Sequence, residues 1–263
     1  MNRCKVAAVQ VLQRTLPLRI RNALFHLSFH LARREYETFA QTYSFAPDME
    51  HSLRAAARLG LAPATVIDVG AFEGDWSRLS RSIWPSSSLI MIEPNEQKRS
   101  RLQSLAAKLN AQLISELLGA QDGRAVDFFL MESGSSVLEE RSPLSRSVQR
   151  RTLRTLDSVI DKIEAPGLLK IDAQGYELEI LKGASRLMPS LEAVLLEVAI
   201  LEINKGAPLL HEVVAFMKSA GFVTYDIAEI HRRPLDRALN QIDVLFVREH
   251  SALIADKRHY ATN

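Results

Sequence analysis

Hydrophobic positions follow two alternating periods from Ala64 onward. Short apolar, β-branched runs predict buried strands, and the stretches between them, with apolar residues three and four positions apart, predict amphipathic helices. The predicted strands are Thr65–Val69, Ser88–Ile92, Ala111–Leu118, Ala125–Met131, Leu168–Asp172, Ala193–Val198, Phe222–Ile227 and Ile242–Val247. The predicted helices are Gly74–Trp84, Asn95–Leu109, Tyr176–Leu187 and Leu209–Ala220.

This succession of strand, helix and strand is typical of a parallel sheet with crossover helices on both faces. We therefore predict an α/β fold with a doubly wound, mostly parallel, Rossmann-like sheet. The last two predicted strands, Phe222–Ile227 and Ile242–Val247, have no helix of useful length between them. They are expected to pair as an antiparallel hairpin at one edge of the sheet.

The beginning of the chain has a different character. Residues 1–47 contain seven basic and two acidic side chains, a local balance of +5, and Leu24, Leu27 and Leu31 recur at helical spacing. A basic amphipathic helix either makes peripheral contact with an anionic membrane surface or packs on the main domain with its arginines in water. We predict a basic helical segment over residues 1–60, a main domain over 61–250 and a C-terminal tail over 251–263.

Composition narrows the class of protein. The 263 residues carry 33 Lys and Arg against 31 Asp and Glu, so the net charge of +2 indicates no global polyelectrolyte role. A single cysteine, Cys4, excludes a disulfide framework. Charged residues interrupt every apolar stretch before it reaches the length of about 18 residues that a membrane-spanning helix needs. The expected location is the cytoplasm.

Acidic side chains mark the ends of three predicted strands. Asp68 belongs to the first strand, Glu93 follows the second, and Asp172 ends a later one. The carboxyl ends of parallel strands form the ligand-binding edge of a doubly wound sheet, so these acids are candidates for function by position.

The loop after the first strand distinguishes between ligands. Its glycines are spaced Gly70-x-x-x-Gly74 and lack the middle glycine of the dinucleotide fingerprint. Asp68 and Glu73 add negative charge beside the turn, where a pyrophosphate would be repelled. Glu93 lies 23 residues after Gly70, at a position where a carboxylate accepts bonds from both ribose hydroxyls.

A nucleoside joined to an amino acid, namely S-adenosylmethionine, satisfies these observations. Asp68, Gly70, Gly74 and Glu93 are the candidate cofactor-binding residues, with Asp68 toward the methionine end and Gly70 allowing close approach of the backbone. The alternative is structural, because a glycine after a strand often makes a turn and an acid there often caps a helix.

Further stretches, taken with these, resemble the FkbM-type methyltransferase family. The most specific is Leu168-Leu169-Lys170-Ile171-Asp172-Ala173-Gln174-Gly175-Tyr176-Glu177-Leu178-Glu179-Ile180-Leu181-Lys182-Gly183-Ala184, and the others are Ser135-Ser136-Val137-Leu138, Thr155-Leu156-Asp157 and Gln241-Ile242-Asp243-Val244-Leu245-Phe246. The resemblance covers about residues 64–248, although Phe72 replaces the asparagine common in the family's glycine loop. It implies a Rossmann-like methyltransferase fold and S-adenosylmethionine-dependent methyl transfer, usually to a hydroxyl of a sugar or a polyketide-like natural product.

Methylation of a hydroxyl requires alignment of the acceptor and removal of its proton. The candidate catalytic residues are Lys170, Asp172 and Glu197, with Glu177 as a weaker candidate. Lys170 and Asp172 project to the same face of one predicted strand, and Glu197 closes the next. Asp172 serves either as a base or, with Glu197, as a magnesium ligand. Alternatively, Lys170 and Asp172 form an ion pair and Glu177 only begins a helix.

Five arginines, Arg141, Arg146, Arg150, Arg151 and Arg154, follow one another without an intervening acid. They are expected in a loop that either is a solvated surface or binds phosphates of a nucleotide-linked or lipid-linked sugar. Nucleic acid is not an expected partner, because no aromatic residues are interleaved with these arginines.

Two other functional classes stay open. One is a nicotinamide-dependent oxidoreductase on the same architecture. The other is a non-catalytic module that binds an anionic surface or partner through its basic segments. The sequence does not indicate the oligomeric state.

Overall fold

The computed structural model describes residues 48–131 and 134–260, together with Pro17 and Ile20. The chain divides into two compact units, residues 1–47 and 48–263. The amphipathic helix predicted around Leu24–Leu31 and its membrane contact lie outside the described residues. Within the described part, no helix combines the length and apolar character needed to cross a membrane.

Six α-helices and ten strands make up the described part of the second unit. The helices are α1 (Met49–Arg58), α2 (Asp75–Ile83), α3 (Arg99–Leu109), α4 (Leu156–Val159), α5 (Glu177–Lys182) and α6 (Leu210–Ser219). The strands are β1 (Thr65–Val69), β2 (Ser88–Ile92), β3 (Ala111–Ile114), β4 (Leu117–Leu118), β5 (Ala125–Leu130), β6 (Ser147–Arg154), β7 (Gly167–Ile171), β8 (Leu191–Ala199), β9 (Phe222–Arg232) and β10 (Leu239–Arg248).

Seven strands form the main sheet in the order β3-β2-β1-β7-β8-β10-β9. Its neighbouring strands are parallel, except that β10 runs antiparallel to both β8 and β9. This confirms the predicted Rossmann-like α/β sheet with its antiparallel pair. The pair forms one edge of the sheet, as predicted, with β9 outermost and β10 between β8 and β9.

Three predicted elements differ from the structure. The strand predicted over Ala111–Leu118 is two strands, because β3 joins the main sheet whereas β4 joins a second sheet of order β4-β6-β5. The arginine-rich loop contains β6, which pairs with β5. The helix predicted over Tyr176–Leu187 stops at Lys182, and Gly183 is its C-cap residue.

Two hydrophobic layers hold the main sheet. On one face, Ile67, Ile92 and Ile171 pack with α5 and with residues of the small sheet. On the other, Val66 and Leu195 pack with α1 and α3. Burial on both faces explains the continuous apolar character of these strands. The two layers leave the carboxyl ends of β1, β2 and β7 together at one edge.

Helix α1 belongs to this body of the chain. Its Leu53 is fully buried, and the Ser52 hydroxyl donates to Asp226 of β9 at 2.5 Å. The Asp48 side chain accepts from the His51 backbone N–H at 2.7 Å and caps the helix. Residues 48–58 therefore stabilise the edge of the sheet that carries β9.

Candidate active site

A pocket opens at the carboxyl ends of β1, β2 and β7. It brings together three predicted site residues, Gly70, Glu93 and Asp172. The rest of its wall is largely apolar and includes Val69, Ile92, Leu118, Phe128, Val137, Tyr176 and Ile180, with the polar residues Glu116, Ser135 and Ser136. The pocket thus lies where a doubly wound sheet binds ligands.

Gly70 brings the backbone of β1 against the end of β7. Its φ is +76°, and a Cβ placed on it would lie 2.0 Å from the Asp172 carbonyl oxygen. Only glycine fits this close approach.

Gly74 has a different structural role, because it lines no part of the pocket. It caps α2 with φ +80°, and a Cβ there would lie 2.1 Å from Leu105 Cδ2 of α3.

Replacing Gly70 with alanine is expected to destabilise the fold and abolish ligand binding, because a backbone carbonyl cannot yield as a flexible side chain can. Gly123→Ala is the matched control. Gly123 has φ +79°, and a Cβ placed on it would have no neighbouring atom within 4 Å. The free energy of unfolding of the control should fall by about 1–2 kcal/mol, because only the unfavourable φ destabilises it. Thermal unfolding of both variants measures the difference, and equal losses would contradict the steric argument.

The backbone N–H groups of the glycine loop are already hydrogen-bonded. Gly70 and Ala71 donate to the Ile92 carbonyl at 3.0 and 3.1 Å, and Gly74 donates to the Ala71 carbonyl at 2.7 Å. Phe72 donates to Glu93 Oε2 at 2.8 Å. These amides therefore do not form the free donor cradle that a pyrophosphate uses in a dinucleotide site.

Glu93 presents a fixed carboxylate beside this loop. It is 7% exposed, and its second oxygen accepts from the Asn95 backbone N–H at 2.8 Å. Burial raises the pKa of Glu93, opposed by the bonds from Asn95 and Phe72. Each carboxylate oxygen keeps a further lone pair, so Glu93 is able to accept hydrogen bonds from a vicinal diol in the pocket.

Asp68 lies behind the pocket rather than in its wall. It is fully buried, accepts from the Ser77 hydroxyl at 2.6 Å, and pairs with Lys170 Nζ at 3.3 Å. Lys170 donates to the Gly70 carbonyl at 3.1 Å and lies 3.6 Å from Asp172. Burial alone would lower the pKa of Lys170, but Asp68 and Asp172 together raise it above its ordinary value. Lys170 is thus a fixed cation that joins the ends of β1 and β7.

The negative charge expected beside the loop is compensated. Asp68 has Lys170, and Glu73 forms ion pairs with Lys98 at 3.0 Å and Arg101 at 2.5 Å. The predicted repulsion of a pyrophosphate by Asp68 and Glu73 is therefore wrong, because basic side chains neutralise both carboxylates. The hydrogen-bonded loop amides, which no spacing in the sequence reveals, are the feature that disfavours a pyrophosphate.

Asp172 and Glu197 meet through the side chain of Gln174. The Gln174 amide nitrogen donates to Asp172 Oδ1 at 2.9 Å and to Glu197 Oε2 at 2.6 Å. Burial, with the adjacent charge of Asp172, raises the pKa of Glu197 well above its ordinary range. The predicted magnesium ligands do not fit an ion as they stand, because one oxygen of each carboxylate accepts a hydrogen bond from the Gln174 amide nitrogen, which cannot ligate Mg²⁺ as an oxygen does.

Glu177 organises the loop that follows β7. Its Oε1 accepts from the backbone N–H groups of Ala173 at 3.0 Å and Gly175 at 2.9 Å. The residue is 3% exposed, and burial raises its pKa to about 7. Glu177 therefore shapes the backbone next to Asp172 and lies outside the pocket wall.

We expect Glu177→Gln to gain stability relative to the wild type as pH rises. An acid with a raised pKa in the fold opposes folding above its unfolded pKa of 4.5, and the penalty is complete above pH 7. The amide oxygen keeps the acceptor role without the charge. Between pH 4.5 and 7.5, the unfolding free energy of the variant should rise by ~2–3 kcal/mol relative to that of the wild type. Urea unfolding at both pH values measures it, and a pH-independent difference would contradict the burial argument.

A row of ionisable side chains crosses the sheet at its ligand edge. Glu229 of β9 pairs in register with Asp243 of β10, and Asp243 pairs with Glu197 of β8. Register partners project to the same face of a sheet, so these three side chains are neighbours. Asp172 follows the last β7–β8 register pair, Ile171 with Leu196, and so continues the row.

His231 extends this row toward solvent. Its Nε2 lies 2.6 Å from Asp243 Oδ2, and its side chain is 37% exposed. Glu229, His231 and Asp243 form the one group in the described residues with three potential metal-ligating atoms within 4.8 Å of one another. Two ligands of one ion about 2.1 Å from it are separated by about 3 Å. The shorter contact indicates a hydrogen-bonded histidine–aspartate pair.

Several residues in or near the pocket are missing from the site residues predicted from the sequence. Ser136 donates to the Gln174 carbonyl at 3.0 Å and accepts from the Leu138 N–H at 3.0 Å. It thereby ties the Ser135–Leu138 stretch to the loop after β7. Glu116 follows β3 and could have been found by extending the strand-end rule to the third strand. His231 has no such signal, because it reaches Asp243 only through the register of β9 and β10.

The five clustered arginines all have partners within the chain. Three form ion pairs and two donate to backbone carbonyls: Arg141 with Glu202, Arg150 with Asp127, Arg154 with Asp122, Arg146 with Glu140 and Ser142, and Arg151 with Pro94. These contacts hold β6 and the loop before it against the rest of the chain. Phosphate binding by the arginines stays a prediction.

The sequence matches the model of the methyltransferase FkbM domain over residues 68–224, more than half of the chain. The protein therefore belongs to the FkbM methyltransferase family, as its sequence motifs predict. No curated protein matches the sequence.

Similar solved structures are methyltransferases with low sequence identity. An FkbM methyltransferase from Methylobacillus flagellatus KT is 16% identical with a TM-score of 0.43, over 69% of this chain and 43% of that one. This chain thus spans less than half the length of that protein. Magnesium protoporphyrin IX methyltransferase (ChlM) from Synechocystis PCC 6803, with bound SAM, is 12% identical with a TM-score of 0.44, over 76% and 77% of the two chains.

Proposed function

We propose that this chain is an S-adenosylmethionine-dependent O-methyltransferase that acts on a hydroxyl of a sugar, glycan precursor or related natural product. The observation that carries the proposal is the pairing of a buried carboxylate, Glu93, with a glycine loop whose amides are already bonded. The carboxylate suits a ribose diol, and the loop suits a ligand without a pyrophosphate. Family membership supports the same choice.

Different residues of the pocket would bind different parts of the cofactor. Glu93 would hold the ribose, and Gly70 would let the backbone approach it closely. The apolar wall made by Leu118, Phe128 and Ile180 suits an adenine ring. Asp68 supports this site from behind through Lys170, so its contribution to binding is indirect. Gly74 contributes by fixing α2 against α3.

S-adenosylmethionine supplies a methyl group on a sulfonium, which is already electrophilic, so the protein's main task is alignment. Asp172 is the member of the acidic row that lines the pocket, and its side chain is 36% exposed. It is therefore placed to bond an acceptor hydroxyl that approaches over the ends of β7 and β8. Lys170 suits a positioning role, because its ion pairs keep it protonated. Glu197 supports Asp172 through Gln174.

A radiolabel assay tests the proposed reaction. The purified protein is incubated with methyl-tritiated S-adenosylmethionine and a panel of methyl glycosides, aminoglycosides and short-chain amines. We expect label on a hydroxyl oxygen of a sugar, with loss of transfer in Asp172→Asn and retention in Asp161→Asn, whose side chain is 99% exposed. Label on nitrogen alone would contradict O-methylation, and a hydride transfer from NADH would instead support an oxidoreductase.

A further inference from the structure

Gln174 connects two carboxylates of the site without lining the pocket itself. Its amide nitrogen donates to Asp172 Oδ1 at 2.9 Å and to Glu197 Oε2 at 2.6 Å. A side-chain amide nitrogen has two N–H groups, so these two bonds use both of its donors. The other oxygen of Asp172, Oδ2, lies 3.6 Å from Lys170 Nζ. The Asp172 carboxylate is therefore fixed by a hydrogen-bond donor at one oxygen and by a cation beside the other.

The backbone of Gln174 has a conformation that residues with a side chain rarely adopt. Its φ is +54°, in the left-handed region. Glu177 Oε1 accepts from the backbone N–H groups on either side of it, those of Ala173 and Gly175. The Ser136 hydroxyl donates to the Gln174 carbonyl at 3.0 Å. Strain of this kind persists only where the surrounding structure holds it, and it clusters at functional sites.

The neighbours of Asp172 limit which group can take the proton that methylation of a hydroxyl releases. Lys170 is kept protonated by its ion pairs with Asp68 and Asp172. Burial and the adjacent charge of Asp172 raise the pKa of Glu197 well above its ordinary range, so Glu197 already holds a proton. Of the two linked acids, only Asp172 lines the pocket. Asp172 is thus the carboxylate placed to accept the proton.

We propose that Gln174 is a positioning residue for methyl transfer, because its amide holds the Asp172 carboxylate in the orientation in which it accepts the proton of the acceptor hydroxyl. The acceptor oxygen bonds to the methyl carbon, the methyl–sulfur bond breaks with its electron pair staying on sulfur, and the O–H proton passes to Asp172. A misplacement of about 1 Å can lower a rate by about 10²-fold. The inference rests on the proposed O-methyltransferase function and adds a residue outside the pocket wall.

The first arm of the test examines the two hydrogen bonds in solution and needs no acceptor. Solvent exchange of the glutamine side-chain amides is measured by ¹⁵N NMR, and the Gln174 signal is assigned by its absence from Gln174→Met. We expect slow exchange at Gln174 and fast exchange at Gln112, which is exposed on β3. Fast exchange at both glutamines would overturn the proposal.

The second arm separates catalysis from binding. Gln174→Met keeps the length of the side chain but removes both donors, so kcat for the glycoside that the wild type labels best should fall by about 10–10²-fold. KM for S-adenosylmethionine and the affinity for S-adenosylhomocysteine should stay at wild-type values, because Gln174 does not line the pocket. Gln112→Met is the matched control and should keep the wild-type kcat. An unchanged kcat in Gln174→Met, or an equal loss of cofactor affinity, would overturn the proposal.

Gln174→Gly distinguishes positioning from a merely structural role. Glycine adopts φ +54° without strain, so this variant should unfold near the wild-type temperature. It lacks the amide, however, so its kcat should fall as in Gln174→Met. A Gln174→Gly enzyme with the wild-type kcat would overturn the proposal. Failure of the proposed function is distinct, since the wild type itself would then label no hydroxyl, and the inference would fall with it.

Discussion

Glu93→Ala is expected to lower the affinity for S-adenosylhomocysteine by at least about 100-fold. Each hydrogen bond from a ribose hydroxyl to a buried carboxylate contributes about 1.5–3 kcal/mol, and this substitution removes both. The backbone N–H groups of Phe72 and Asn95 also lose their acceptor, so we expect a moderate loss of stability in a protein that still folds. Isothermal titration calorimetry measures the affinity, and circular dichroism verifies the fold.

Glu96→Ala is the control for this substitution. Glu96 is close to Glu93 in sequence, but it is half-exposed and paired with Arg99 at 3.2 Å. We expect the Glu96→Ala variant to bind S-adenosylhomocysteine as the wild type does. If Glu93→Ala kept wild-type affinity, the diol-binding role of Glu93 would be wrong.

Asp68→Ala is expected to lower the free energy of unfolding by about 3–5 kcal/mol, because it leaves the buried Lys170 ammonium without its nearest carboxylate. The Ser77 hydroxyl loses its acceptor as well. For a domain of this size the loss corresponds to a fall in Tm of about 6–20 °C. Urea unfolding and calorimetry measure the two quantities.

Asp75→Ala provides the comparison for Asp68→Ala. Asp75 also pairs with a cation, Arg78, but its side chain is 83% exposed, and exposed ion pairs contribute about 0–1 kcal/mol. Similar losses in both variants would contradict the buried pair. A stable Asp68→Ala protein that fails to bind S-adenosylhomocysteine would instead make Asp68 a direct ligand, as the sequence suggests.

Most of the fold could be predicted because the strands of the main sheet are buried on both faces. Runs such as Thr65–Val69 and Ala193–Val198 are apolar at all but one or two positions, which is a strong local signal. Strand β6 gives no such signal. Its residues Val148, Gln149, Arg150 and Arg151 are exposed or half-exposed, so no alternation of apolar and polar positions marks it as a strand.

The site could be predicted only as far as strand ends reveal it. Gly70, Glu93 and Asp172 follow strands directly, and the sheet topology brings them together in one pocket. Asp68 has the same sequence signal but points into the core, where Ser77 and Lys170 meet it. The pair of His231 and Asp243 depends on the register of two long strands with bulges, which the chain's local pattern does not encode.

The central claim is that the pocket at the ends of β1, β2 and β7 binds an adenosyl ligand without a pyrophosphate. Calorimetric titration of the purified protein with S-adenosylhomocysteine, in parallel with NADH, tests it most directly. We predict saturable binding of S-adenosylhomocysteine in the micromolar range, no heat from NADH, and loss of binding in Glu93→Ala. Binding of NADH alone, or of neither ligand by a folded protein, would contradict the claim.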